Sequence, residues 1–415
     1  MARVRELLKD KNFSFFWFSQ IISNFGDRLN QMALIGLVYS RTPGSTIELA
    51  KLLSFTILPV FLIGPVAGIY VDRWNRKYTM IACDLLRGLL VFFIPFIVSH
   101  SKSMIPVYII VFVIFSITRF FLPSKMSIIP DIVRKDKLLL ANSMTSMTMM
   151  IATIVGFGLG GMLVAWLGPQ GGFYVDAVTY LASAVMVSYV SLGLKKKIDL
   201  ISAREKLKSI IEKTMIGDIK EGLMYFKGNK DIRMVANTMF LLMAGVGSIY
   251  IIIIVFVQQT LGSSTRHLGL LAMFLGTGLF LGSMGYGRFG SGLCKKTVIN
   301  SGLFIAGFII VVFAVTLKFW PYFFIAALLS AVLGLFAAPI VVSSNTLLHE
   351  AMVDEMRGRI FSSLEIVMHV GFLVFMLLTS LSAEITSNSS ILIAVGSIFS
   401  IIGMVRLIKG IRKKI

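Results

Sequence analysis

Four polar side chains lie on one face of an otherwise apolar segment near the start of the chain. They are Gln20, Asn24, Asp27 and Gln31. On a helix with 100° per residue they fall within a sector of about 60°. An ionised carboxylate at bilayer depth costs about 2.5–3.5 kcal/mol, so this stripe is expected to face protein or water. Asp27 is a candidate for reversible protonation, Arg28 beside it is a candidate counter-ion, and the whole group is a candidate for substrate contact.

A second titratable pair occurs late in the chain. Glu365 and His369 are one helical turn apart in an apolar segment. A neighbouring carboxylate favours the charged imidazole, so the pair is a candidate for proton coupling near neutral pH. The alternative is a packed polar pair that closes a cytoplasmic gate.

The elements that position these residues must be membrane helices. The chain has 415 residues, is 56% hydrophobic and only 14% charged, and has a mean hydropathy of +0.86. This composition is typical of a polytopic membrane protein. The formal charge of +20 does not indicate a nucleic-acid partner, because the charges occupy short gaps between apolar runs. Two cysteines, Cys83 and Cys294, predict neither a disulfide framework nor a metal cluster.

Segments of about 20 apolar residues are long enough to span a bilayer. Twelve such spans are predicted, at 13–40, 47–71, 78–99, 104–127, 139–166, 172–194, 232–259, 267–290, 297–317, 321–347, 360–386 and 390–408. Most Lys and Arg residues fall on the side of the N-terminus, and this bias predicts that both termini are cytoplasmic.

One long polar interruption divides the predicted spans into two groups of six. We therefore predict an N-terminal six-helix bundle over 1–194, a linker over 195–231 and a C-terminal six-helix bundle over 232–415. Within the linker, apolar residues recur at helical spacing among lysines, which favours a basic amphipathic helix on anionic lipids at the cytoplasmic face. A solvated linker with accidental periodicity is the alternative.

A short motif follows the second predicted span. The stretch "GIYVDRWNRK" (68–77) is similar to the pattern G-x-x-x-D-R-x-G-R-[KR] of the major facilitator superfamily, with Asn75 in place of the second glycine. The matching residues are Gly68, Asp72, Arg73, Arg76 and Lys77. The resemblance extends to the six-plus-six arrangement of spans. It implies an all-α membrane protein with twelve transmembrane helices in two six-helix bundles, the major facilitator fold.

The resemblance also implies roles for several residues. The motif is expected to act as a cytoplasmic latch, in which Asp72 pairs with arginines near a helix N-terminus. The alternative is that Arg73, Arg76 and Lys77 only orient the chain, as basic residues on the cytoplasmic side of a membrane protein do. Asp84, Arg87 and Arg119 are expected to form one ion cluster with this loop, in gating rather than in substrate contact. Asn237 and Asn345 lie in spans that would face the first span across a cavity. Asp176 is interpreted as an anchor at a helix terminus.

Softer motifs place the chain near one branch of the superfamily. The stretches 130–143, 217–233 and 357–365 resemble segments of macrolide-efflux and enterobactin-export proteins. Span 5 carries "IVGFGLGGML" (154–163), which resembles a glycine-rich antiporter motif except for Phe157 in place of proline. Gly156, Gly160 and Gly161 are expected to allow tight helix packing.

These observations predict a secondary active transporter rather than an enzyme. We expect proton-coupled export of an amphipathic or hydrophobic small molecule, by a monomer in the plasma membrane, the inner membrane in a bacterium, with no cofactor, no metal and no nucleic acid. The cytoplasmic loops carry no nucleotide-binding G-x-x-x-x-G-K-[ST] sequence. The alternatives are a lipid or lysolipid transporter, a facilitator for another metabolite or metal, and a receptor or scaffold without transport.

Overall fold

The computed structural model describes residues 2–71, 74–191, 230–263, 265–290, 292–351 and 357–412. These residues form helices and no strand. In the N-terminal part the helices are α1 (Ala2–Leu8), α2 (Lys11–Arg41), α3 (Thr46–Leu62), α4 (Gly64–Val71), α5 (Arg76–His100), α6 (Ile105–Ile132) and α7 (Leu138–Ser188), with a 3₁₀ turn at Lys135–Lys137. The C-terminal part contains α8 (Lys230–Leu261), α9 (Arg266–Phe289), α10 (Lys295–Phe319), α11 (Phe323–Ala351), α12 (Arg357–Ser382) and α13 (Asn388–Arg412). Nine helical segments of the described chain are long and apolar enough to cross a membrane.

The predicted spans 5 and 6 are the two limbs of α7. Gly168, at φ 74° and ψ 167°, interrupts this helix, and Pro169 follows it. A positive φ is readily adopted only by glycine, and proline removes a backbone donor. A Cβ on Gly172 would lie 2.8 Å from a methyl group of Val164. Eight residues of continuous helix would separate these positions by about 12 Å. The chain therefore folds back at Gly168, and the second limb ends at Ser188 rather than at the predicted residue 194.

The predicted second span is also interrupted. It consists of α3 and α4, which are separated at Ile63. Pro65 cannot donate a backbone hydrogen bond, and the residue before a proline is disfavoured in the α region. The amide of Ile63 still donates to the carbonyl of Pro59 at 2.9 Å, and the amide of Ala67 donates to Ile63 at 2.9 Å. The two short helices thus form one bent segment.

The chain divides into two compact units. The first unit comprises Met1–Arg41 and Lys51–Ser209, and the second comprises Thr42–Ala50 and Ile210–Ile415. In the first unit, a buried apolar cluster joins α2, α5, α6 and α7. Its largest members include Phe13, Phe16, Met80, Phe121 and Ile128. This cluster fixes the helices whose polar residues form the site described below.

In the second unit, glycines bring the helices close together. A Cβ added to Gly278 would collide with the backbone of Ala331, and one added to Gly282 with the backbone of Leu335. Gly307 and Gly396 lie against each other's backbone in the same way. Small residues allow such close approach, and tight packing stabilises helix association inside a membrane.

Two of the predictions lie outside the described residues. The linker over 195–231 is not described apart from Lys230 and Asp231, which begin α8. Asp72 and Arg73 of the loop motif are likewise outside the described ranges, whereas Gly68 lies in α4. The latch therefore stays a prediction.

Candidate functional site

Gly26 brings α2 directly against the second limb of α7. A Cβ at this position would collide with the side chains of Thr179 and Asp176. Because glycine has no side chain, the backbone of α2 can approach α7 at this depth. Asp27, the next residue, is thereby placed within reach of the same limb.

Asp27 contacts two side chains from other helices. Its Oδ1 accepts a hydrogen bond of 2.6 Å from the hydroxyl of Tyr180 on α7, and it lies 3.9 Å from Nη1 of Arg87 on α5. The side chain of Asp27 remains 32% exposed, whereas that of Arg87 is 1% exposed. The carboxylate thus lies at the boundary between a buried network and the space outside it.

Arg87 is the centre of this network. Its Nη2 forms a close ion pair with Oδ1 of Asp84, one turn earlier on α5. Its guanidinium carbon lies 4.2 Å from the centre of the Phe121 ring and 4.4 Å from that of Tyr180. A buried ion pair must be hydrogen-bonded on all sides to offset its desolvation. Ser183 contributes to this by donating a hydrogen bond of 2.7 Å to Oδ2 of Asp84.

These contacts correct one expectation. Arg28 was the candidate counter-ion of Asp27, but the cation beside Asp27 is Arg87. The reason is helix packing, which selects partners across helices that spacing along one helix does not reveal. Asp84 and Arg87 pair with each other and contact α2 and α7; their cluster with the loop after the second span stays a prediction, because Asp72 and Arg73 lie outside the described residues. Arg119, expected in the same cluster, is half-buried on α6.

Asp176 is a further buried carboxyl group. It lies about two turns beyond the break in α7 and is completely buried. Its Oδ2 accepts a hydrogen bond of 2.6 Å from Asn30, and its Oδ1 accepts one of 3.2 Å from Thr179. The interpretation of Asp176 as an anchor at a helix terminus is therefore wrong, because Gly168, and not Asp176, marks the start of that limb.

Lys125 was missed as a site residue. The predicted span 104–127 contains it, but Lys125 was counted only as a positive charge on the cytoplasmic side. In the structure α6 continues to Ile132 and Lys125 is only 5% exposed. It lies within electrostatic range of Asp27, Asp84 and Arg87. The helical spacing of the apolar residues Phe121, Ile128 and Ile132 around it would have indicated that the helix extends beyond the predicted end at residue 127.

The rest of the polar stripe on α2 divides into two environments. Gln20 and Asn24 are 2% and 8% exposed. The side-chain amide of Asn24 donates to the backbone oxygen of Gln20 at 2.6 Å, and that of Gln20 donates to Ser19 at 3.2 Å. Arg28 and Gln31 are half-buried and hydrogen-bonded to each other at 3.1 Å. The structure thus brings Asp27 into the buried network and leaves Arg28 and Gln31 outside it.

The described part of the loop motif stabilises the start of α5. The side chain of Asn75 accepts hydrogen bonds from the amides of Lys77 and Tyr78, so the residue that replaces the usual glycine caps the helix. Arg76 pairs with Asp131 at 2.5 Å and donates to the carbonyl of Ser127 at 2.8 Å. These contacts tie the motif to the end of α6.

The candidate residues of the second unit form fewer contacts. Nδ1 of His369 lies 2.8 Å from the backbone oxygen of Glu365, whose own side chain is exposed. The one-turn spacing is as predicted, but this contact involves the backbone of Glu365. Asn237 and Asn345 are exposed on α8 and α11. No group of three or more His, Cys, Asp or Glu residues in the described ranges is arranged to hold a metal ion.

Helices of membrane-spanning length with buried charged side chains define a polytopic membrane protein. Over residues 6–399 the chain matches the model of the family described as transmembrane secretion effector, and it belongs to this family. It is thus a multi-pass membrane protein of a transporter superfamily. This confirms the fold class and the resemblance found in the loop motif.

Individual relatives agree with this assignment. The chain is 24% identical over 365 residues to the MFS-type transporter YkuC of Bacillus subtilis (strain 168), covering 86% of this chain and 81% of that one. It is 22% identical over 381 residues to macrolide efflux protein A of Streptococcus pyogenes, covering 89% and 88% of the two chains. The crystal structure of a bacterial homologue of the iron transporter ferroportin, in its inward-facing state, matches with a TM-score of 0.72 at 14% identity, over 97% of this chain and 99% of that chain. This last similarity concerns the fold alone.

Proposed function

We propose that this protein is a secondary active transporter that exports an amphipathic or hydrophobic small molecule in exchange for protons. Its two halves would open the transport path alternately to the two sides of the membrane, as in other carriers built from repeated halves. The similarity to macrolide efflux protein A supports export of a small molecule. Both termini would be cytoplasmic, and the protein would act as a monomer in the plasma membrane.

The observation that carries this proposal is the position of Asp27. Its carboxylate is one-third exposed and is held by Tyr180 and Arg87, two residues that are almost completely buried. Ionisable groups at membrane depth are costly and are a common feature of proton relays. A carboxylate at the edge of a buried network can exchange a proton with water and still influence the helices that it contacts.

Protonation of Asp27 would change the balance of charge in the network. The neutral acid would no longer share the positive charge of Arg87, which would then be balanced by Asp84 alone. The contact of Asp27 with Arg87 links α2 to α5, and the contact with Tyr180 links α2 to α7. Proton binding would therefore weaken the attachment of α2 to its neighbours, which is the kind of bias that shifts a two-state conformational equilibrium.

The test is proton movement in proteoliposomes that contain the Asp27→Asn variant. The amide keeps the size of the side chain but cannot release a proton at neutral pH. We expect substrate-dependent proton flux to fall to the level of empty liposomes while the protein remains folded and inserted. Asp136→Asn is the matched control, because this side chain is 59% exposed in a surface turn. Normal coupled flux in Asp27→Asn at several pH values would contradict the proposal.

Glu365 and His369 remain secondary candidates for the coupling group. If Asp27→Asn retains proton flux and Glu365→Gln loses it, the coupling site belongs to the second unit. The alternatives of a facilitator for a metabolite or metal and of a receptor without transport are separated in the same assay, whereas a lipid transporter is identified by the movement of labelled lipid between the leaflets of the same liposomes. A facilitator would move substrate without proton flux, and a receptor would move neither.

A further inference from the structure

Arg28 is a membrane-depth cation outside the buried network. Its Nη1 donates to Oε1 of Gln31 at 3.1 Å, and its guanidinium carbon lies 5.3 Å from the centre of the Phe157 ring. Its Nε is buried and has no hydrogen-bond partner among the described residues. No carboxylate in the described ranges forms an ion pair with it. The two groups that contact the guanidinium, the amide of Gln31 and the ring of Phe157, carry no negative charge that would neutralise it.

The adjacent carboxylate does not neutralise Arg28. Successive residues on a helix point about 100° apart, and Asp27 is already bound to Tyr180 and Arg87. The side chain of Arg28 instead passes over the first limb of α7. A Cβ on Gly156 would lie 3.0 Å from both Cβ and Cγ of Arg28. Gly156 thus provides the space through which the guanidinium reaches Phe157.

An apolar groove ends one helical turn before this cation along α2. It has a volume of about 430 Å³ and runs between α2 and the first limb of α7, within the first unit. Its lining includes Trp17, Ile21 and Phe25 from α2, and Ile151 and Val155 from α7. The distance along α2 from Trp17 to Phe25 is about 12 Å.

The two ends of the groove differ in chemistry. At the far end, the indole Nε1 of Trp17 donates to the hydroxyl of Thr148 at 2.9 Å, so the polar groups at that end already have partners. At the near end, Phe25 precedes Arg28 by one turn, and Val155 directly precedes Gly156. An apolar groove that has, one turn beyond Phe25, a cation without an anionic partner among the described residues is complementary to a molecule with an apolar body and one anionic group.

We propose that Arg28 and this groove bind an amphipathic small-molecule monoanion, with the anionic group on the guanidinium and the apolar body between α2 and α7. This inference rests on the proposed transport function and names the class of its substrate. The occupant is a free amphiphile rather than a membrane phospholipid. The groove is about 12 Å long and ends at the Trp17–Thr148 pair, whereas the acyl chains of one leaflet span about 15 Å. The second donor of the guanidinium, Nη2, and the buried Nε are the groups that the anion would satisfy.

Binding can be followed through Trp17, which lies at the far end of the groove. The chain has 4 tryptophans, and replacing Trp74, Trp166 and Trp320 with Phe leaves Trp17 as the single fluorophore. The full-length protein is placed in phosphatidylcholine nanodiscs and titrated with 10-bromodecanoate, whose terminal bromine quenches a nearby indole. 10-bromodecyltrimethylammonium is the probe with the same chain and the opposite charge.

We expect saturable quenching by the bromo acid and only weak, non-saturable quenching by the bromo cation. Arg28→Gln should weaken the apparent affinity for the acid at least about tenfold, because a hydrogen bond to a charged group is lost. Arg28→Lys should restore part of it. The matched control is Arg288→Gln, since Arg288 is an exposed arginine that also lies over a ring, that of Phe289 at 5.6 Å. The affinity of the Arg288→Gln variant for the bromo acid should equal that of the parent protein.

A second variant tests the apolar part independently of the charge. Ile151→Trp would fill the groove from α7. Because this variant has a second tryptophan beside Trp17, its binding is measured with radiolabelled decanoate instead of fluorescence. We expect binding to be lost. Equal affinity in Arg28→Gln and the parent, equal quenching by both probes, or unchanged binding in Ile151→Trp would each overturn the proposal. Saturable quenching by dibrominated phosphatidylglycerol that displaces the acid would also overturn it, because the occupant would then be a membrane lipid.

The outcome is distinguishable from that for the transport function. Arg28-dependent binding without Asp27-dependent proton flux would keep this anion site and remove the proposed proton-coupled export. Asp27-dependent proton flux without Arg28-dependent binding would keep the proposed proton-coupled export and remove the anion site.

Discussion

The two units of this transporter bury different kinds of polar groups. Among the described residues, the buried charged side chains are Asp84, Arg87, Lys125 and Asp176, and all of them belong to the first unit. The buried polar residues of the second unit, over the same described ranges, are serines, threonines and one glutamine. Hydroxyl groups can donate to a carbonyl of their own helix, as Thr238 and Ser248 do, whereas charges need partners from other helices.

Both units use close glycine contacts, as Gly26 shows in the first unit, but over the described residues only the first unit adds a buried charge network. In the first unit, the contacts around Arg87 connect α2, α5, α6 and α7 through specific charged and aromatic groups. In the second unit, glycines let α9 contact α11 and let α10 contact α13 through their backbones. A charge network can respond to a proton, but packed glycines cannot. We therefore expect the response to protons to arise in the first unit.

The largest effect is expected at Arg87. Arg87→Leu leaves Asp84 buried without its cation, and breaking a buried ion pair in this way destabilises a protein by about 3–5 kcal/mol. The measurement is the free energy of unfolding in mixed micelles with increasing denaturing detergent. The double variant Asp84→Asn with Arg87→Leu serves as the control and should recover part of the loss. Stability of Arg87→Leu equal to that of the parent would show that the network does not hold the first unit together.

A smaller effect is expected where the network depends on a hydroxyl group. Ser183→Ala removes a donor to the buried Asp84 carboxylate, and we expect a loss of about 1.5–3 kcal/mol in the free energy of unfolding. Ser344→Ala in the second unit is the matched control. The Ser344 hydroxyl is equally buried but has no hydrogen-bond partner among the described residues, so its removal should be almost neutral. If both variants lost the same stability, the contrast between the units would not hold.

The glycine contacts of the second unit allow a third measurement. Gly282→Ala places a methyl group against the backbone of Leu335, and overpacking of this kind costs about 1–3 kcal/mol. Gly285→Ala on the same helix has open space around the new methyl group and should have little effect. Thermal unfolding followed by circular dichroism compares the two variants. An equal shift in both would mean that helix propensity, rather than close packing, governs this region.

Much of the fold followed from the sequence because bilayer thickness imposes a fixed length on apolar segments. The predicted spans correspond to the described helices, and the boundary between spans 5 and 6 falls at Gly168, where the structure breaks α7. The predicted span ended at residue 127, whereas α6 continues to Ile132 through Pro130, a residue that is disfavoured inside helices. The structure continues the helix because Ser124 and Lys125 are buried among the other helices of the first unit.

The site was only partly predictable. Asp27 was identified because a carboxylate in an apolar stretch is conspicuous in any sequence. Its partners, Arg87 and Tyr180, lie far from it along the chain. Periodicity within one helix shows which residues share a face, but it carries no information about which face of another helix lies opposite.

The sequence by itself determined that this is a helical membrane protein, where its spans lie, and that ionisable groups lie at membrane depth, because hydropathy and charge are local properties of the chain. Only the tertiary structure decided that Asp27 belongs with Arg87, that Lys125 is buried and that Arg28 lies apart beside a groove. Those facts depend on the register between packed helices. That register is set by small residues such as Gly26 and Gly156, at which two helices come into contact.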